Sequence, residues 1–446
     1  MPAAQSCVRC VLACNLIFFI VGCGAAAKLS VIDGMGPKPV LPPPNGSLIP
    51  TVNVVDAKGW GPNEVPDAAP GSAVVAFARD LDHPRWLHVL PNGDVLVAET
   101  NAPPRPDDGP KGIKGWFFKK FQKKAGGAVP SANRITLLRD ADGDGVAEVR
   151  TAFLEGLNAP FGMALVGSTL YIANSDAVVR VPYQEGVTKV TDAPTKVADL
   201  PGGTINHHWT KSLIASPDGT RLYVGSGSNS NIAERGMENE VDRACILEID
   251  PKTGQSRVFA SGLRNPVGLA WEPGTNTLWV AVNERDELGS DLVPDYMTSV
   301  KDGGFYGWPY SYYGANVDKR VKPPRPDLVA KAISPDYALG PHTASLGLAY
   351  ASGSDRSPQP GEGMFVGQHG SWNRKPRSGY KVIFVPFTAG RPTGMPQDVL
   401  TGFVLDNGDA MGRPVGVAIA KDGSLLVADD VGNAVWRVYR APTTTR

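Results

Sequence analysis

His83-Pro84-Arg85-Trp86 runs directly into LHVLPNGDVLVAE over residues 87–99. A short apolar strand, a turn on Asn92-Gly93 and a second apolar strand ending on an acid follow one another. Gly accepts positive φ without steric cost, so Asn-Gly between two apolar runs closes a tight hairpin. The same pattern recurs five more times. Ala159-Pro160 leads into FGMALVGSTLYIAN, His208 into WTKSLIASPDGTRLYVGSG, and Asn265-Pro266 into VGLAWEPGTNTLWVAVNE. Ser345 opens LGLAYASG with GEGMFVGQH after it, and Arg413-Pro414 leads into VGVAIAKDGSLLVADD. Third strands follow several of these hairpins, at 134–138, 178–182, 244–250, 380–386 and 434–439.

Hairpins with two apolar faces need neighbours on both sides. Radial stacking supplies them and leaves only short edges. Six repeats therefore predict an all-β fold, a six-bladed β-propeller with four-stranded antiparallel blades. A linear β-solenoid would need much shorter repeats, and the Trp-Asp signature of the regular signalling propellers is missing. Composition agrees. The 446 residues include 51 Gly and 40 Pro, about a fifth of the chain, against roughly 12% in an average protein. That excess rules out a helical bundle, while 42% hydrophobic residues suffice for a packed core. Forty-four basic and 44 acidic residues cancel, leaving no electrostatic footprint for nucleic acid.

The ends of the chain read differently. Arg9, an apolar run over 11–21 and Ile20-Val21-Gly22-Cys23 resemble a bacterial lipoprotein signal, with Cys23 as the lipidated residue. Residues 1–22 are then a signal peptide, 23–70 a Pro/Gly-rich tether, and 71–446 the propeller, with insertions at about 101–131 and 283–341. On this reading the protein is periplasmic and anchored to the outer membrane. Cys245 lies in an apolar strand and is expected to be a buried small hydrophobe. The basic, aromatic stretch 109–125 is expected to be a lid over the channel or a membrane-surface contact.

Metalloprotease, serine-hydrolase, Walker and covalent-haem motifs are absent, and Gly225-Ser226-Gly227-Ser228 lacks the context of a dinucleotide loop. Five of the six histidines fall where a blade strand begins or ends; His88 lies inside a strand. In Asn206-His207-His208-Trp209-Thr210-Lys211, a His beside an amide and a cation suits a general base that stays neutral near pH 7. Asp140-Ala141-Asp142-Gly143-Asp144-Gly145 looks like half an EF-hand, but its twelfth position is Thr151, so a tight acidic turn competes with a calcium site. The charged loop from Asn283 carries Asp286, Glu287, Gly289, Asp291 and Asp295, and carboxylates and carbonyls at that density suit Ca²⁺.

At NHHWTKSLIASPDG, GLRNPVGLAW, NERDELGSDLVPDY with GGFYGWP, and HGSW, the sequence resembles the soluble quinoprotein glucose/sorbosone dehydrogenase family. The likeness runs from about residue 81 to 439. It implies pyrroloquinoline quinone (PQQ) and Ca²⁺ as cofactors, oxidation of an aldose or sorbosone-like aldehyde by hydride transfer, and a separate electron acceptor. His207 matches the family's catalytic base and Asn206 its orienting neighbour. Lys211, Arg264, Asn265, His342, Thr343 and Arg413 fall at cofactor or substrate positions. Arg374 joins the cations that could converge on the carboxylates of PQQ. The chain departs from the glucose enzymes in having Asn206 for Asp, His208 for Gln, and no second Arg near Arg413. A non-catalytic carbohydrate- or protein-binding propeller is the main competing expectation; a metal-dependent lactonase is the other.

Overall fold

A computed structural model describes residues 26–46, 51–104, 124, 126–127 and 129–442. The signal segment, Cys23 and nearly all of 109–125 lie outside the described residues. Six antiparallel sheets follow one another around a ring, each starting from its innermost strand. Blade I is Pro84–Val89, Val95–Glu99, Arg134–Arg139 and Val149–Leu154; blade II is Met163–Val166, Thr169–Ala173, Ala177–Pro182 and Thr195–Asp199. Blade III is Lys211–Ala215, Leu222–Ser226, Cys245–Ile249 and Ser256–Ser261. Blade IV is Pro266–Glu272, Thr277–Val282, Pro294–Ser299 and Tyr337–Pro341. Blade V is Ser345–Ala351, Gly363–Gln368, Lys381–Thr388 and Gln397–Thr401. Blade VI takes Pro414–Ile419, Leu425–Asp429 and Ala434–Arg440, and borrows Ser72–Ala78 as its outer strand. The six-bladed expectation holds.

The expected turns behave as their chemistry requires. Gly93, Gly219 and Gly423 have φ of 102°, 70° and 88°, values a side chain would resist. Other glycines serve a different purpose. The inner strands crowd the axis, and each passes the backbone of the next. A Cβ on Gly162 would lie 2.1 Å from the Leu213 nitrogen, and one on Gly268 would lie 2.7 Å from the Leu346 oxygen. On Gly347 it would lie 2.2 Å from the Val415 oxygen, and on Gly416 2.7 Å from the Arg85 oxygen. Gly225 makes the same approach to the Pro266 oxygen, at 2.5 Å. Between blades I and II, Trp86 and Phe161 pack ring on ring, with centroids 4.6 Å apart.

Two expected features change. The 283–341 insertion supplies the third and fourth strands of blade IV, so the true excursion is 300–336. It holds the small hairpin Ser311–Tyr312/Asn316–Val317 and the helical turn Pro326–Val329. The supposed tether is a strap wherever it is described. Met35–Gly36 adds to blade IV, Asp67–Ala68 adds to blade V, and Asp56–Ala57 pairs with Asp409–Ala410. Met35 and Val55 are buried. Its Pro and Gly residues suit an extended chain crossing sheet edges. Cys245 is a buried free thiol, pushed up to about 12 chiefly by burial, as its apolar strand led us to expect. No helix among the described residues is long and apolar enough to cross a membrane.

Gly347→Ala tests the close approach. It should destabilise the fold by about 3 kcal/mol, the upper part of the usual overpacking range, measured by urea unfolding.

Candidate active site

Inner strands begin, and second strands end, on one rim of the ring. Residues just before an inner strand (His208, Arg264, His342, Arg413) or just after a second strand (Asn283, Glu284, His369) therefore meet there. Together with Asp286, Ala344, Gly370, Trp372 and Asn373 they line a cavity of about 560 Å³, partly open to solvent.

Of the adjacent histidines, His208 lines this cavity and His207 does not. His208 Nδ1 lies 2.6 Å from the Ser228 carbonyl, so Nδ1 carries the proton and the lone pair is left on Nε2. Burial first, and Arg264 second, hold its pKa well below the ordinary histidine value. His208 is thus a neutral base at pH 7. Asn206 is 5% exposed, and its Oδ1 accepts a 2.6 Å bond from Arg243.

Arg413 donates to the carbonyls of His369 (2.9 Å) and Gly370 (3.0 Å), and packs over the Tyr380 ring. Among the described residues its guanidinium forms no ion pair. Arg264 donates to Glu284 O at 2.7 Å and reaches Asp286 at 3.4 Å. Asp286 also accepts from Asn373 at 2.7 Å and lies 3.5 Å from His342. Burial opposes ionisation there, but His342, Arg264 and Asn373 outweigh it and bring the Asp286 carboxyl to about 2. Burial likewise works against charging His342, yet Asp286 and the Gly289 carbonyl (2.9 Å) hold it above its usual value. Arg264, Arg413, Glu284, Asp286 and the histidines give the cavity a densely charged lining.

Behind it stands a hub absent from the sequence expectations. Asp430 accepts from Arg85 at 2.8 Å and His369 at 2.9 Å, with His83 at 3.6 Å. Burial, then Arg413, bring His369 down to about 4, so the neutral ring donates Nε2–H to Asp430. Asp429 accepts the Arg413 backbone amide at 2.7 Å and the Trp436 indole at 3.0 Å. The signal for both was the acidic end of LLVADD; Trp372 closes HGSW and Asn373 follows it.

Other expected site residues have different surroundings. Lys211 is fully buried and its ammonium donates to His208 O at 3.4 Å, so it supports the segment from behind. Thr343 is buried and bonds Asp295 at 3.1 Å. Arg374 is buried and clamps the strap, donating to Ser290 O (3.0 Å), Pro376 O (2.9 Å) and Leu29 O (3.0 Å). Asn265 stays beside the site; its Oδ1 is buried without a hydrogen bond, as is Asn373 Oδ1 on the lining.

The proposed calcium set does not converge. Glu287 is exposed, with its carboxylate 3.8 Å from Arg320. Gly289 serves His342 through its carbonyl. Asp291 accepts the amides of Lys28 (2.8 Å) and Leu29 (3.3 Å). Asp295 is enclosed by Asn283, Glu284, Thr343 and Ser345, and burial raises it to about 6. Only Asp286 of the five reaches the cavity lining. The acidic turn gathers Asp140, Asp142, Asp144 and Glu148, but these carboxylates accept the loop's own amides, as at Gly143, Gly145 and Ala141.

Fold and cavity together define a six-bladed propeller with an arginine- and histidine-bearing rim site. The TrAA12-like family model matches residues 130–301 and 328–441, and the chain belongs to that family. Aldose sugar dehydrogenase YliI of Escherichia coli is 25% identical over 319 residues, 67% of this chain and 79% of that protein. A pyrroloquinoline quinone-dependent pyranose dehydrogenase of Coprinopsis cinerea is 24% identical over 435 residues. That match takes in 84% of this chain but 54% of the enzyme, so the chain spans about half its length. The holo form of its PQQ domain superposes with a TM-score of 0.66 at 21% identity, covering 87% of this chain and 100% of that one. A calcium structure of the Trichoderma reesei family AA12 protein gives 0.67 at 18% identity, over 84% and 97%. At those identities the superpositions show a shared fold.

Arg374→Met separates clamp from ligand contact. Leaving carbonyls unpaired should cost about 2–4 kcal/mol in urea unfolding, with ligand affinity at the cavity within twofold of wild type.

Proposed function

We propose that this chain is a quinoprotein oxidoreductase that oxidises an aldose or related sugar aldehyde with bound PQQ as hydride acceptor. The observation that carries this reading is the pairing, on one lining, of the unneutralised Arg413 guanidinium with the neutral, tautomer-locked His208. A planar tricarboxylate needs converging cations, and Arg413 and Arg264 on this lining are the candidates. The buried, unpaired Asn373 Oδ1 on the same lining is a further polar contact waiting for a ligand. Bound PQQ would supply the two-electron acceptor, which no protein side chain offers.

The chain's own residues do the rest. His208 Nε2 takes the proton of the sugar C1 hydroxyl as hydride leaves C1, and its Nδ1–H bond to Ser228 stabilises the imidazolium that forms. Trp372, 45% exposed on the cavity lining, offers a ring face to the sugar. His208 therefore takes the base role that the motif suggested for His207. The Ca²⁺ expectation has its support in the Trichoderma calcium structure alone. The loop positions predicted as its ligands do not converge, and only Asp286 of them reaches the cavity. Export, the Cys23 lipid anchor and a separate electron acceptor extend the reading from the leader sequence and the resemblance.

Titration of the full chain with PQQ, followed by absorption, should show saturable binding and bleaching by a panel of aldoses. Arg413→Ala should weaken quinone binding about 10–100-fold, the worth of a charge-assisted contact. His208→Gln should lower kcat by about 10²–10⁴-fold with quinone binding retained, while His207→Gln costs less than tenfold. Because the His208 pKa is depressed, kcat/KM should stay level as pH falls from 8 through 6.5, and drop only further down as the base protonates. Absence of binding at micromolar PQQ would favour a non-catalytic propeller.

A further inference from the structure

His208 is held from behind by chain that does not itself line the cavity. The connection between the second and third strands of blade III, residues 227–244, folds back toward it on the same rim. The Ser228 carbonyl in this connection lies 2.6 Å from His208 Nδ1. Ser228 also donates its amide to the Arg264 carbonyl at 2.8 Å and its hydroxyl to the Ser230 carbonyl at 2.6 Å. Gly227 permits the approach, since a Cβ there would lie 2.5 Å from the His208 Cβ and 2.2 Å from Asn265 Oδ1. The bond that sets the tautomer of the ring therefore joins two separate segments, 206–208 and 227–230. Both must keep their place for His208 to work as a base.

We propose that Arg243 is a positioning residue for the base: it ties these two segments together and so fixes the placement and tautomer of the His208 ring. The inference rests on the reading of His208 as the base and adds a residue that acts through it. Arg243 is 6% exposed. One guanidinium nitrogen donates to the carbonyl of Gly227, the residue before Ser228, at 3.0 Å. The other donates to Oδ1 of Asn206, two residues before His208, at 2.6 Å, and to the Pro201 carbonyl. These acceptors are all neutral oxygens. The side chain thus serves as a planar fork of fixed geometry, a shape that the point donor of Lys lacks.

The chain around Arg243 is built to hold it there. Asp242 and Ala244, on either side, have φ of 55° and 50°, in the left-handed region that side chains resist. Such conformations persist where surrounding contacts over-determine them. Glu240, buried at the end of the helical turn Met237–Glu240, supplies those contacts. Its carbonyl accepts the Arg243 amide at 3.2 Å. Its carboxylate accepts the Asn229 amide at 2.7 Å and the Ser230 hydroxyl. Asn229 in turn donates its side-chain amide to the Asn239 carbonyl at 2.8 Å. One short piece of chain, 237–243, therefore grips the turn that carries the Ser228 carbonyl and, through Arg243, the segment that carries His208.

The test uses the full chain with Arg243→Met, Arg243→Lys and Asn206→Ala, each first checked for folding by its urea midpoint. Nitrogen-15 NMR of histidine-labelled, quinone-free protein should show a single His208 tautomer, protonated at Nδ1, in the wild type. Arg243→Met and Asn206→Ala should show a mixture. With PQQ bound, Arg243→Met should lower kcat about 10–100-fold, the cost of misplacing a reacting group. Quinone affinity and KM should stay within about threefold of wild type, because the lost contact touches neither ligand. Arg243→Lys should recover part of kcat. Arg243→Met and Asn206→Ala combined should cost less than the two effects multiplied, since both break one bond. A folded Arg243→Met protein with an unchanged tautomer and unchanged kcat overturns the proposal, as does strict additivity. If Arg243→Met does not fold, Arg243→Lys and Asn206→Ala provide the same readings. A drop in kcat for His208→Gln, with none in the Arg243 variants, sinks the brace alone. A tautomer change without bleaching of PQQ by any aldose sinks the oxidation reading alone.

Discussion

The structure depends on how closely six inner strands approach one another around an axis. Backbone meets backbone at Gly162, Gly268, Gly347 and Gly416, where any Cβ would fall 2.1–2.7 Å from the next blade. Glycine weakens an isolated strand. Here that cost is offset by interior-like packing between neighbouring blades, as in the shared apolar cluster of blades I and II. The fold is held by proximity that side chains would forbid.

This proximity also explains the site. A tight ring leaves little room on the axis, so chemistry moves to the rim, where strand ends from different blades face each other. Charges brought there from distant parts of the chain must be compensated in a low-dielectric setting. Asp430 does this for Arg85, and Asp286 for Arg264. Arg413 alone of these cations is left with carbonyls and a tyrosine ring. The strap contributes from outside. Asp291 and Arg374 tie it to the loop that carries Asp286, which holds that loop in place.

The ring was legible because its period is written in apolar strands and Gly-bearing turns. Asn92-Gly93, Asp218-Gly219 and Asp422-Gly423 each mark a turn that the structure makes, and the third strands fall within a residue or two of their expected bounds. The site was legible only as a neighbourhood. Asn206-His207-His208 located a rim segment, but which of two adjacent rings faces inward depends on backbone twist that spacing does not encode. Cations raise the same difficulty. Arg413 and Arg374 both flank strand ends, yet one borders the cavity and the other is sealed under the strap. Acidic density in 286–295 suggested a metal; the acids are distributed instead among amides, a histidine and an arginine, partners set by tertiary contacts.

The joint in blade VI carries a consequence for synthesis. Its outer strand, Ser72–Ala78, precedes every blade in the chain, while its partner Ala434–Arg440 comes after all the others. Emerging from the ribosome, the early strand waits with an unpaired edge until almost the whole polypeptide exists. The loop that its pairing closes spans more than 350 residues, a non-local contact of the slowest kind to form. Until it forms, blades I and VI cannot meet, and Gly416 has no Arg85 carbonyl to pass. A nascent or truncated chain is therefore an open ribbon with two exposed edges, and the seven residues Ala434–Arg440 decide whether it becomes a ring.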